Sequence, residues 1–100
     1  MIRTRIFDFT AAGSTVSGTI GVPPGRYAGA YYNFTPDRGT GDVTISNLGR
    51  VLLSKSNALN ADGVQELAPA AEKIISGQLA VTVNEVQAGD KVHVTVFTNI

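Results

Sequence analysis

The chain of 100 residues contains no cysteine, no tryptophan and a single histidine. Without cysteine there is no disulfide framework, no thiolate metal site and no cysteine nucleophile, so packing alone must hold the fold. An excess of either charge is also missing: eight Lys and Arg balance eight Asp and Glu. With no basic run to track phosphates or anionic lipid, neither nucleic acid nor a membrane surface is an expected partner. No stretch approaches the ~18 apolar residues of a membrane-spanning helix. The N-terminus, Met1-Ile2-Arg3-Thr4-Arg5-Ile6-Phe7-Asp8-Phe9, places charge every few residues where a secretory leader needs an apolar run. The expectation is a soluble protein made in a cytoplasm.

What the chain does have is β-branched and aromatic residues spread evenly and interrupted by Gly, Pro, Asn and Asp at short intervals. This is the rhythm of short antiparallel strands, and the length suits one domain over residues 1–100. A first strand is expected over Ile2 to Phe9, with Ile2 and Ile6 on one face and Phe7 and Phe9 on the other, so that either both faces are buried or a neighbouring subunit covers one. Val16, Ile20 and Val22 mark a second strand, which Pro23-Pro24-Gly25 is expected to stop. A new strand then runs from Arg26 to Phe34, with Ala28, Ala30, Tyr32 and Phe34 inward and Tyr27 and Tyr31 opposite. Val43-Thr44-Ile45-Ser46 alternates cleanly, and Asn47-Leu48-Gly49 reads as a tight turn into Val51-Leu52-Leu53. A short helical turn is expected from Ala70 to Ile75, ended by Ser76-Gly77. Leu79, Val81 and Val83 followed by Val92, Val94 and Val96 form a C-terminal hairpin with a valine face. About seven to eight short strands without βαβ spacing imply an antiparallel β-sandwich or jelly-roll-like barrel.

Candidates for chemistry are few. His93 lies within the last strand, opposite the valine face, and reads as a surface or interface histidine. No serine sits in a nucleophile elbow. The acids Asp8, Asp37, Asp42, Asp62, Glu66, Glu72, Glu85 and Asp90 are scattered mostly in turns rather than paired. Asp37 and Asp42 flank a glycine-containing loop, but their spacing matches no calcium motif, and side-chain caps of the turn explain them. No catalytic residue, metal ligand or cofactor is therefore assigned, and the chain reads as non-enzymatic. Tyr27, Tyr31, Tyr32 and Phe34 place four of the chain's seven aromatics in one strand. Core packing accounts for part of that concentration and an interface for the rest. The candidate interface residues are Ile2, Ile6, Phe7, Phe9, Tyr27 and Tyr31.

Four stretches carry a resemblance: Pro24-Gly25-Arg26-Tyr27-Ala28-Gly29-Ala30-Tyr31, Gly41-Asp42-Val43-Thr44-Ile45-Ser46-Asn47-Leu48-Gly49-Arg50-Val51-Leu52-Leu53, Gly77-Gln78-Leu79-Ala80-Val81-Thr82-Val83 and Val92-His93-Val94-Thr95-Val96. Together they resemble small accessory proteins encoded among the structural genes of tailed bacteriophages. The resemblance implies a virion component that decorates or cements the capsid shell, with the major capsid protein as partner and a small homo-oligomer, guessed as a trimer, as its form. A carbohydrate- or receptor-binding module of a phage fibre, and a head-completion or tail component, are the alternatives.

Overall fold

The computed structural model describes residues 2–60, 64–65 and 74–99, and among these described residues there are seven strands. They are β1 (Ile2–Thr10), β2 (Thr15–Thr35), β3 (Gly41–Asn47), β4 (Arg50–Ala58), β5 (Val64–Gln65), β6 (Ile74–Asn84) and β7 (Lys91–Asn99). The all-β class is thus the observed one. The hydrogen-bonded path is a single sheet, β1-β7-β2-β6-β3-β4, with β5 added beside β2 and every pair antiparallel.

The 21-residue β2 organises this path. Its first half pairs with β6 as far as Arg26↔Ile74, and its second half pairs with β7 from Arg26↔Asn99 onward. The prolines expected to end a strand do not do so: Pro23 and Pro24 fall inside a register shift between Val22 and Gly25. A bulge leaves residues out of the ladder, so the missing N–H of proline costs nothing there and the strand continues through a bend. A second shift, between Tyr27 and Gly29, inserts Ala28 as an extra residue, with Gly29 at φ 119°. The inserted residue changes the phase, so Tyr27 and Ala28 are both buried, at 1% and 0% exposure, where alternation would put them on opposite faces. The expectation that Tyr27 faces outward is therefore corrected.

Before the first bend β2 is approached by β1. A Cβ at Gly18 of β2 would lie 2.8 Å from the rings of both Phe7 and Phe9 of β1, so only glycine lets these rings approach the strand. One core cluster then draws on all the long strands, including Phe7, Tyr32, Phe34, Val43, Ile45, Leu52, Leu79, Val83 and Val94. The valine face of β7 lies in it as expected, with Val92, Val94 and Val96 at 3% exposure or less. The expected helical turn is not found where the structure describes it: Ile74 and Ile75 open strand β6, while residues 70–73 lie outside the described residues.

Turns at one end of the molecule are tied together by the buried Asp90. Its carboxylate accepts from Arg38 Nε at 2.8 Å and Nη2 at 3.1 Å and from the Gln87 N–H at 3.1 Å, while its backbone carbonyl accepts from the Ala11 N–H. The hydrogen bond from Arg38 holds the Asp90 carboxyl below the usual carboxylate range, against the opposing effect of burial. A lowered folded-state pKa adds stability that is complete above the unfolded value, about 3.9, and is lost as pH falls from there through the folded value. Thermal melts are expected to place Asp90→Asn well below wild type at pH 7, with the gap narrowing as pH falls below about 3.9. Parallel curves for the two proteins over that range would contradict this role.

Candidate functional site

Two surfaces stand out. The first is the tip of the β3–β4 hairpin. Asn47 and Arg50 face each other across Leu48 and Gly49, which have φ of 51° and 83°. Positive φ at both central positions is the two-residue turn whose twist matches antiparallel strands, and Asn and Gly fill it with least strain. Leucine at the first position is unusual, because a Cβ makes the left-handed conformation unfavourable. The same Leu48 is 84% exposed, so no packing within the chain compensates. Val51, 58% exposed, follows on β4, and the Arg50 guanidinium donates to the carbonyl of Ile74, itself 59% exposed. The base of the hairpin is anchored: Asn47 Nδ2 donates to the carbonyls of Ser76 and Gln78 at 2.8 and 2.9 Å. A rigid hairpin thus presents an apolar tip.

The second surface is the outer face of β1, β7 and β2. Register sets its residues in rows: Ile6↔Thr95↔Tyr31, Asp8↔His93↔Asn33 and Thr10↔Lys91↔Thr35. His93 Nδ1 lies 2.5 Å from Asp8 Oδ1, and Nε2 lies 2.7 Å from Thr95 Oγ1. With the proton on Nδ1, the imidazole donates to the carboxylate and accepts from the threonine hydroxyl. That connectivity is the acid–imidazole–hydroxyl order of nucleophilic hydrolases. Here it lies on the open face of a sheet, and Asp8, whose side chain is 72% exposed, orients the ring. A depression of about 340 Å³ opens beside it, lined by the residues of the last two rows together with Phe9 and Val92.

The residues expected at an interface separate into two groups. Ile6 and Tyr31 are 57% and 41% exposed and share a row on the outer face. Phe7 and Tyr27 belong to the core at 3% and 1%, so they cannot line a docking surface of the folded chain, and Phe9, 37% exposed, stacks beside Phe7 at 4.8 Å. Ile2 pairs with Asn99 at the start of β1, and its side chain lies outside the described residues. Asp37 and Asp42 cap backbone: Asp37 accepts from the N–H groups of Gly39 and Asn60, and Asp42 from that of Asn57. Among the described residues no three His, Asp or Glu side chains come together as metal ligands. The sequence reading missed the hairpin tip as a surface, and also the Asp8–His93–Thr95 relay. The signal for the first was leucine in a turn position that favours asparagine. The second needed the pairing of the chain's two terminal strands, which only β1↔β7 register supplies. No known protein family matches the chain, and no curated protein does.

Proposed function

We propose that the chain is a non-enzymatic virion structural protein that decorates or cements a bacteriophage capsid through protein–protein contacts. The observation that carries this reading is Leu48, a large apolar side chain held in an unfavourable backbone conformation and almost fully exposed. Strain of this kind persists where it serves a function, and an apolar anchor on a rigid hairpin binds with little ordering cost. The patch Leu48, Val51 and Ile74 would seat on the major capsid protein. The separate row of Ile6 and Tyr31, on the outer face, would meet a sister subunit or a second capsomer. Two apolar surfaces on one small domain suit a component that bridges neighbours, where many repeated contacts replace high affinity per copy.

The substitution Leu48→Asn separates docking from folding. Asparagine tolerates the left-handed turn, so the variant should be more stable than wild type by roughly 1 kcal/mol. It should also lose most of its co-sedimentation with capsids of the encoding virus. A stabilised variant that binds particles as wild type does would remove the hairpin from the contact.

A further inference from the structure

The depression on the outer face is built from side chains of matched chemistry. Its floor is a grid of two rows and three strands, Asp8, His93 and Asn33 beside Thr10, Lys91 and Thr35, all facing outward at alternate positions. Strand spacing of about 4.8 Å and a two-residue step of about 6.7 Å give the grid the footprint of a single sugar ring with its substituents. Asp8 and His93 are engaged with each other and with Thr95, whereas the side chains of Thr10, Asn33, Thr35 and Lys91 have no polar partner among the described residues. These solvent-facing groups line one depression, where a bound ligand would take the place of their water. At about 340 Å³ the volume is at the small end for ligand sites. The lining is mixed, with Phe9 and Val92 completing it, and the polar side chains of its two rows are what a hydrophilic ligand would engage.

The two rows differ in what they recognise. Lys91 between two threonine hydroxyls offers an ammonium and two O–H donors, the complement of a carboxylate. Asp8, held by His93, keeps acceptor positions free, and the Asn33 amide adds both a donor and an acceptor, a set that matches sugar hydroxyls. We propose that this depression binds a carboxylate-bearing sugar residue, a hexuronate, with the carboxylate on Lys91, Thr10 and Thr35 and the hydroxyls on Asp8 and Asn33. The site uses none of the hairpin residues, so it stands or falls independently of the capsid contact.

The test is a titration of the intact, isotope-labelled chain followed by amide chemical shifts, with D-glucuronate, D-glucose and acetate as probes. Saturable shifts confined to residues 8–10, 33–35 and 91–93, with glucuronate bound about tenfold more tightly than either glucose or acetate, are expected. The margin over glucose corresponds to one added charge-assisted contact, and that over acetate to the added hydroxyl contacts. Lys91→Ala should reduce glucuronate binding to the level of glucose, and Asn33→Ala should weaken glucuronate and glucose while leaving acetate unchanged. Both positions face outward, and circular dichroism checks that each variant folds. Acetate binding as tightly as glucuronate would reduce the site to an anion contact and overturn the sugar assignment. Absence of saturable shifts with every probe would overturn the site itself.

Discussion

Replacing Phe7 with alanine is expected to cost about 3–5 kcal/mol, measured by urea unfolding, because it removes a ring that is 3% exposed and leaves a cavity that the sheet cannot close. Total stability of a domain this size is about 5–15 kcal/mol, so the variant should be marginal or unfolded near physiological temperature. The reason lies in the topology. Strand β1 is terminal in the sheet order, yet Phe7 pairs with Val94, lies against Gly18 of β2 and belongs to the core cluster. Removing residues 1–10 should therefore unfold the chain and not merely strip a docking arm from an intact domain. A loss below about 1 kcal/mol for Phe7→Ala would mean that β1 is attached to the core rather than part of it.

The second large effect belongs to Asn47. Its amide bridges the Ser76 and Gln78 carbonyls from a position 5% exposed, and each of the two hydrogen bonds contributes about 0.5–1.5 kcal/mol net. Asn47→Ala should lose roughly 2 kcal/mol or more in the same unfolding measurement. Asn47→Asp should be worse near neutral pH, since an ionised carboxylate only accepts and would face two carbonyl oxygens. Protonation restores one donor, so the deficit of Asn47→Asp should shrink on acidification. An aspartate variant more stable than the alanine variant at pH 7 would contradict the bridge.

Period-two patterning made the all-β class, the valine face of β7 and the turn at Leu48 and Gly49 legible, because each depends only on local alternation and turn residues. The course of β2 was not legible. Its prolines and glycine spell a strand end by local rules, and only the ladders with β6 and β7 reveal a bulge instead. The burial of Tyr27 was hidden for the same reason, since Ala28 shifts the phase by one residue. Phe7 and Phe9 were correctly grouped on one face, but the close approach that buries Phe7 depends on a glycine eleven positions later in the chain. Of the site, His93, Ile6 and Tyr31 were singled out from residue type. Their neighbours Asp8, Asn33 and Lys91 join them only through cross-strand register, which a single sequence does not contain.

The central claim is that this domain acts by binding a capsid through exposed apolar surface. Its most direct test is co-sedimentation of the purified wild-type chain with capsids of the virus that encodes it, titrated to saturation and quantified against the major capsid protein. Saturation at a fixed, simple ratio, lost in Leu48→Asn, is the predicted result. A chain that stays in the supernatant at every concentration, or sticks without saturating, would contradict the account.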